Sequence, residues 1–304
     1  MRDHFMNALF EAATIDSSIC LVTGDLGYGV VDEFALKLPS QFINAGVDEQ
    51  SMLSMAAGIA STGKRVFVYS IANFPTMRCL EQIRNDVCAM NNAVTVVSVG
   101  AGFSYGAHGY SHHAVEDIAI MRALPNINIF SPGDPAEAMW VAKHLTTSNA
   151  PSYLRLGKNG EKFFSSPEVE LMPGKFREIV CGEDGTILFT GSIGSSALLA
   201  SSKLREMGKN VSVASVPFIS DLDLGYLEKS LLKGPLLTLE EHSPRGGFGS
   251  AILEEVHKHP QWNKNRIGIL AASQSNISLV GSQDYLRDQN GLGVRSIVEA
   301  FLGL

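Results

Sequence analysis

Short apolar runs alternate with amphipathic stretches along the first half of the chain. The runs Ile19 to Thr23, Arg65 to Ile71 and Ala93 to Val99 are rich in β-branched residues and predict strands. Between them, apolar residues recur at helical spacing, as they do over Pro135 to Thr146. Strands that are apolar on both faces and alternate with helices predict a mostly parallel, doubly wound α/β sheet.

The alternation stops over residues 158–185, which mix prolines, glycines and charges, and then resumes. Strands are predicted again at four places: Thr186 to Thr190, Val211 to Val216, Pro235 to Glu240 and Ile267 to Ala271. A chain of 304 residues suits two domains of this kind. We therefore predict two doubly wound α/β domains, each with a mostly parallel sheet, at 1–160 and 186–304, joined by a linker at 161–185.

One predicted strand-to-helix turn places an acid where α/β sheets usually bind their ligands. A short strand from Gln41 to Asn44 is followed by Gly46, and Asp48 is a suitable helix N-cap. Glu49 then lies in the first helical turn, at the mouth of the turn. On the residues alone, this carboxylate could simply complement the helix dipole, a contribution of ~0.3–1 kcal/mol.

Composition and charge exclude several classes of protein. The net charge is −7 and the sequence pI is about 5.6, without a basic stripe, so we expect no nucleic-acid partner. We also expect no membrane association, because no run approaches the ~20 apolar residues that span a bilayer. The N-terminal segment lacks the continuous apolar core of a signal peptide. Together with four cysteines of unpaired spacing, this predicts a cytoplasmic protein with reduced thiols.

The densest group of potentially reactive side chains lies in residues 102–117, here termed the histidine-rich loop. Three histidines and two acids fall within ten residues: His108, His112, His113, Glu116 and Asp117. Their spacing fits no common zinc-ligand pattern, so we predict no metal site in this chain. A histidine near neutral pH can instead donate to a substrate hydroxyl or shuttle a proton.

A glycine-rich turn, Gly246-Gly247-Phe248-Gly249, ends a predicted strand and opens a predicted helix. Such a turn could cradle a phosphate at the helix N-terminus. In α/β domains, however, a glycine-rich turn more often serves close backbone packing, which is the interpretation we favour here.

The residues around Glu49 resemble a known family. The run Gly46-Val47-Asp48-Glu49-Gln50, followed by Ala56-Ala57-Gly58 and a β-rich Val66 to Ser70, is similar to the pyrimidine-binding domain of thiamine diphosphate enzymes of the transketolase group. The resemblance implies that Glu49 hydrogen-bonds N1′ of the cofactor's aminopyrimidine and activates the cofactor. It also implies that Phe74 packs against the pyrimidine ring, and that the second half of the chain is a transketolase-type C-terminal domain.

The same resemblance suggests which residues bind substrate. The histidine-rich loop is similar to the family's GEDGPTHQPVE-type loop, which places His112 on the substrate histidine. His108 stands where transketolase has an aspartate that reads the donor's hydroxyl configuration, so an ordinary pentose phosphate substrate is not expected. Arg78 matches an arginine that contacts the substrate phosphate in the deoxyxylulose phosphate synthase branch, and Arg155 matches one that binds the acceptor phosphate. On the residues alone, an arginine that closes a strand could equally well pair with a neighbouring acid.

One part of the family's machinery has no match in this chain. The diphosphate-binding domain of the family carries a GDG motif and a later asparagine that hold a divalent metal, whereas Gly24-Asp25-Leu26 lacks the second glycine. The resemblance is therefore to the C-terminal section of a split transketolase. It implies thiamine diphosphate shared with an N-terminal subunit that holds Mg²⁺ or Ca²⁺, in a heterotetramer of two plus two.

The implied reaction is transfer of a two-carbon ketol unit from a ketose to an aldose, on a sugar phosphate or a modified sugar. Two alternatives stay open at this point. A beta subunit of a 2-oxo acid dehydrogenase would share cofactor and fold but decarboxylate with a lipoyl partner. A non-catalytic assembly or regulatory module would keep only the fold. The histidine-rich loop favours sugar chemistry, and the joint presence of Glu49, Phe74 and His112 favours a catalytic chain.

Overall fold

The computed structural model describes residues 1–164, 166, 168–262, 266–276 and 278–304. Two sheets organise these residues. The first contains β1 (Ile19–Thr23), β2 (Phe42–Asn44), β3 (Arg65–Ile71), β4 (Val94–Val99), β5 (Asn128–Phe130) and β6 (Ser152–Leu156). The second contains β7 (Arg177–Val180), β8 (Thr186–Thr190), β9 (Ser212–Ser215), β10 (Leu236–Glu240) and β11 (Ile267–Leu270).

Helices cover both sheets. Those before the second sheet are α1 (Arg2–Ile15), α2 (Asp32–Lys37), α3 (Glu49–Ala60), α4 (Asn73–Met77), α5 (Leu80–Gln82), α6 (Asp117–Arg122) and α7 (Pro135–Leu145). Those that follow are α8 (Gly194–Glu206), α9 (Leu224–Lys233), α10 (Phe248–Lys258), α11 (Gln283–Gln289) and α12 (Val294–Leu302).

The first sheet is entirely parallel, in the order β2-β1-β3-β4-β6-β5. Successive residues of β1 belong to opposite cores: Leu21 packs on one face of the sheet, and Cys20 and Val22 pack on the other. Because both faces are buried, its central strands are mostly apolar. The strand order reverses between β1 and β3, and such a switch point is where open α/β sheets bind ligands.

The second sheet has the order β11-β10-β8-β9-β7 and is parallel except at one edge, where β7 pairs antiparallel with β9. The predicted fold class, two α/β units with mostly parallel sheets, is confirmed. Strand β7 lies inside the segment 161–185 that was predicted to be a linker. Its residues are only partly buried, so the apolar pattern that reveals a central strand is weak here.

Two predicted helices differ from the structure in ways that affect the site. The helix expected over Met77 to Met90 is instead a series of short pieces, in which α4 and α5 are followed by a π-helical turn at Ile83–Cys88. The helix expected from His113 is reduced to α6, because residues 113–116 are non-helical and Ala114 forms an isolated β-bridge with Gly102. Two 3₁₀ turns, Gly106–His108 and Tyr110–His112, precede this segment.

Buried charges hold the two units together. Arg155 on β6 donates from Nε to Asp117 Oδ2 at 2.7 Å and from Nη2 to the Glu241 carbonyl at 2.9 Å. The Glu241 carboxylate in turn accepts from Arg287 at 3.1 and 3.0 Å. These contacts fix the end of the histidine-rich loop against the second sheet.

No helix in the described part of the chain is long and apolar enough to cross a membrane. The four cysteines are free thiols, and only Cys181 is exposed.

Candidate active site

The loops that follow β2, β3 and β4 lie at one edge of the first sheet, since the carboxyl ends of parallel strands point the same way. The loop after β2 carries Glu49. Gly46 turns the chain with a φ of 76°, and Asp48 Oδ1 accepts from the Ser51 amide at 3.1 Å, which confirms the predicted N-cap. Glu49 opens α3 and is 7% exposed. A mostly buried carboxylate therefore faces the edge of the sheet.

Arg78, which follows α4, is the ionic partner of Glu49. Its Nη1 donates to Glu49 Oε2 at 3.3 Å, and its side chain is about half exposed. The two residues border an open cavity of about 360 Å³ whose remaining wall is Val47, Asp48 and Gln50. Because the Arg78 side chain is half exposed, solvent screens this long ion pair, and it adds little to the folding stability of the chain.

Phe74 joins this pair to the histidine-rich loop. It lies on α4, where the sequence predicted a loop, and its ring is 4.2 Å from the Arg78 guanidinium carbon. Its other contact is an edge-to-face arrangement with His112, with ring centroids 5.3 Å apart. Phe74 is thus an aromatic surface between a cation and an imidazole.

His108 and His112 lie next to each other on consecutive 3₁₀ turns. Their ring centroids are 4.9 Å apart, and Ser111 Oγ lies 3.0 Å from His112 Nδ1. Burial, and then the proximity of His108, lower the pKa of His112 below its ordinary value of 6.5. His112 is therefore mainly neutral at pH 7, and a neutral imidazole can both donate and accept a hydrogen bond.

Five of the six residues that the sequence singled out lie in one continuous set of contacts: Glu49, Arg78, Phe74, His112 and His108. They come from three loops, which follow β2, β3 and β4. An acid, an aromatic ring, a cation and two imidazoles thus line one edge of the sheet, beside the switch point.

Arg155, the sixth, is in a different place. It is 1% exposed and donates to Asp117 and to the carbonyls of Ala114 and Glu241. In this structure its guanidinium forms part of the contact between the two units, and not of the open edge. Arg155 is thus paired with a buried acid in this structure, and its expected contact with the acceptor phosphate stays a prediction.

Two residues near the site were not predicted from the sequence. Lys158 follows β6, and its Nζ lies 5.3 Å above the ring of Tyr105, which itself contacts both His108 and His112. Lys158 was assigned to the start of the irregular segment, although a cation just beyond the carboxyl end of a central strand was a usable signal. Asn73 was not distinguished from its loop.

Asn73 ties the loop after β3 to the histidine-rich loop. Its Nδ2 donates to the carbonyls of Ser111 at 3.1 Å and His113 at 2.7 Å. These two bonds fix the backbone on either side of His112 and so set the position of that ring relative to Phe74.

The glycine-rich turn has a packing role. The Glu240 carboxylate accepts from the amides of Phe248 and Gly249, both at 2.7 Å, and so occupies the N-terminus of α10. Burial raises the pKa of Glu240. Among the described residues, no group of three or more histidine, cysteine, aspartate and glutamate side chains is arranged to hold a metal ion.

Comparisons with known proteins match both α/β units of this chain. The family profile described as "Transketolase, pyrimidine binding domain" matches residues 1–160, and "Transketolase, C-terminal domain" matches residues 174–292. The chain is 34% identical over 262 residues to one subunit of the apulose-4-phosphate transketolase of Phocaeicola vulgatus, covering 85% of this chain and 84% of that protein.

Two further relatives cover nearly the entire chain. The chain is 30% identical over 302 residues to "6-deoxy-6-sulfo-D-fructose transketolase subunit SqwH" of Clostridium sp., covering 99% of this chain and 92% of that protein. A solved structure described as "Split gene transketolase, inactive beta4 tetramer" superposes with a TM-score of 0.88 at 30% identity, over 99% of this chain and 96% of that one.

Proposed function

The chain belongs to the transketolase family, and we propose that it is the pyrimidine-binding subunit of a transketolase made from two different chains. In this proposal residues 1–160 form the pyrimidine-binding domain and residues 186–304 the C-terminal domain. The enzyme transfers a two-carbon ketol unit from a ketose to an aldose. The named relatives favour this activity over that of a 2-oxo acid dehydrogenase or a regulatory module.

The family implies thiamine diphosphate, and the residues present fit its aminopyrimidine half. Glu49 is a mostly buried carboxylate beside an open cavity, and Phe74 offers an aromatic face on the same edge. The bound cofactor would supply the electron sink for breaking and forming the C–C bond. Glu49 would form a hydrogen bond with N1′ and share a proton with that nitrogen, while Phe74 would pack against the ring.

His112 acts on the substrate in this proposal. Its neutral imidazole can accept a proton from a sugar hydroxyl and return it. The contact with Phe74 keeps His112 next to the aromatic surface, and the two Asn73 bonds hold its backbone. His108, 4.9 Å away between ring centroids, would read the adjacent hydroxyl.

The substrate proposed is a ketose that is non-standard and carries an anionic group. His108 replaces the aspartate of ordinary transketolases, and two relatives are named for unusual sugars, one phosphorylated and one sulfonated. Arg78 and Lys158 are the cations beside the aromatic and histidine residues, and each could bind a phosphate or sulfonate oxygen.

A second chain would complete the site. It would carry the diphosphate-binding domain, with Mg²⁺ or Ca²⁺ bound there, and associate with this chain as two plus two subunits. The enzyme would act in the cytoplasm. The relatives described as transketolase subunits support a partner of this kind.

The observation that carries the proposal is the continuous contact from Glu49 through Arg78 and Phe74 to His112. The test is to co-express the chain with the product of the adjacent reading frame and purify the complex. We expect ketol transfer that requires added thiamine diphosphate and a divalent metal. A stable complex that transfers no ketol unit from any ketose in a broad panel would contradict the proposal.

A further inference from the structure

A second cavity lies on the far side of Arg78 from Glu49. It has a volume of about 230 Å³ and is bordered by side chains from α4 and the histidine-rich loop, among them Asn73, Phe74, Tyr110 and Glu116. Arg78 is the one residue, among those described, that lines both this cavity and the one beside Glu49. The Arg78 side chain therefore lies between the cavity beside Glu49 and the second cavity.

The walls of the second cavity contain hydrogen-bond acceptors that have no donor. Asn73 is 8% exposed, and its Oδ1 is buried without a partner among the described residues. The same holds for Glu116 Oε2, whereas Glu116 Oε1 accepts from the Tyr110 hydroxyl at 2.9 Å. An unpaired buried carboxylate oxygen is costly, and a cationic donor is the group that would satisfy it best.

In the part of the chain that the structure describes, Arg78 is the one arginine or lysine that lines this cavity. Its present bond to Glu49 is 3.3 Å long, which is beyond the usual length for a charge-assisted contact, and its side chain is half exposed. The Phe74 ring, 4.2 Å below the guanidinium, offers a face across which the cation can move. A guanidinium has five N–H donors, so it can contact Glu116 and Asn73 while still presenting an edge to a substrate anion.

Resting on the proposed function, we propose that Asn73 and Glu116 are positioning residues that receive the Arg78 guanidinium when Glu49 binds the aminopyrimidine. In the chain by itself, Arg78 neutralises Glu49 and occupies the position needed by the ring nitrogen. On cofactor binding, Glu49 would release Arg78, take up a proton from solvent and share it with N1′, and Arg78 would move over Phe74 to the two acceptors. No charge is then left unpaired, and the cation stays beside the substrate.

The test is a double-mutant cycle on cofactor affinity in the purified two-chain complex. Thiamine diphosphate is titrated calorimetrically at saturating Mg²⁺ into wild type, Arg78→Gln, Glu116→Gln and the double variant. We expect Arg78→Gln to bind about two- to fivefold more tightly, because a half-exposed competing pair is removed. Glu116→Gln should bind about three- to tenfold more weakly when Arg78 is present, and within about twofold of its parent when Arg78 is absent.

The cycle separates a positioning role from a general loss of structure. Arg84→Gln removes an exposed arginine from the same segment and should leave cofactor affinity unchanged. If Glu116→Gln lowers the thermal stability of the complex, Glu116→Asp, which keeps the charge, should restore affinity in part. Equal effects of Glu116→Gln with and without Arg78 would overturn the inference. A wild-type complex that binds no thiamine diphosphate would instead overturn the proposed function.

Discussion

Glu49 is the central residue of the proposed site, because its carboxylate is the one acid among the five residues in contact. Glu49→Gln keeps the shape and one hydrogen bond but cannot exchange a proton with N1′. We expect the turnover of the two-chain enzyme to fall by about 10²–10⁴, the range for a lost acid–base role. The unfolding temperature should change little, since the residue lies in the first turn of α3 beside an open cavity.

An exposed acid provides the matched control for this substitution. Glu81→Gln, on α5, also removes one negative charge and should leave turnover unchanged. Near-normal turnover of Glu49→Gln would return Glu49 to the modest role of complementing the helix dipole.

His108 is expected to set substrate choice. A carboxylate at this position accepts charge-assisted hydrogen bonds from sugar hydroxyls, and an imidazole replaces them with weaker ones, a difference of ~1.5–3 kcal/mol or roughly tenfold or more in discrimination. We expect xylulose 5-phosphate to be a poor donor for wild type and a better one for His108→Asp. The measurement is kcat/KM over a panel of ketose donors. Equal use of xylulose 5-phosphate by both proteins would show that His108 does not determine specificity.

The lowered pKa of His112 predicts how kcat/KM changes at acidic pH. Its pKa is lowered first by burial and then by His108, with smaller contributions from His113 and Arg78. Protonation is thus resisted in the folded chain, and the neutral form is present above a pKa that lies below 6.5. We expect kcat/KM to be constant near pH 7 and to fall as pH decreases through this value. In His112→Gln the remaining activity should lose that acid limb; an unchanged limb would assign it to another group.

Single residues were predictable where a local motif defines them and not where a distant partner does. Glu49 and Phe74 follow from a strand-to-helix turn and a loop that resemble a known family. Arg155 also lies near the end of a strand, but its contacts are with Asp117 and with Glu241, which is 86 positions away in sequence. No local pattern contains that information.

At the scale of elements, the central strands were predictable because burial on both faces makes them continuous apolar runs. Strands β1, β3 and β8 have the bounds that the sequence predicts. The edge strand β7 was missed, because it is half-buried and pairs antiparallel. Helix α4 was missed because it is only five residues long and contains Pro75, so it has too few turns to show a periodic pattern.

The contact between α6 and β6 leads to a prediction about stability. Asp117 accepts from Arg155 at 2.7 Å and from the Tyr153 hydroxyl at 2.6 Å, and both ionic partners are buried. Asp117→Asn leaves the Arg155 charge buried without a counter-ion, so we expect a loss of ~3–5 kcal/mol in the free energy of unfolding. Urea denaturation of the chain measures it. The exposed pair of Arg295 and Glu299 is the control, and Arg295→Gln should leave the transition midpoint unchanged.

At the scale of the molecule, two units have distinct roles. The first sheet brings three loops of the site together at one edge. The second unit contacts the end of the histidine-rich loop through Arg155, which donates to the carbonyl of Glu241, and the Glu241 carboxylate accepts from Arg287. The site residues described here suit the pyrimidine half of the cofactor. In the function proposed above, this chain supplies the pyrimidine half of the active site, and a second chain supplies the groups that bind the diphosphate and the metal.

The most direct test of whether two chains share the active site is calorimetric titration of thiamine diphosphate and Mg²⁺ into this chain by itself and into the two-chain complex. We expect weak or undetectable binding by the chain alone, and tight binding by the complex that Glu49→Gln weakens. Micromolar binding by the isolated chain, equal to that of the complex, would contradict the claim that the site is shared between two subunits.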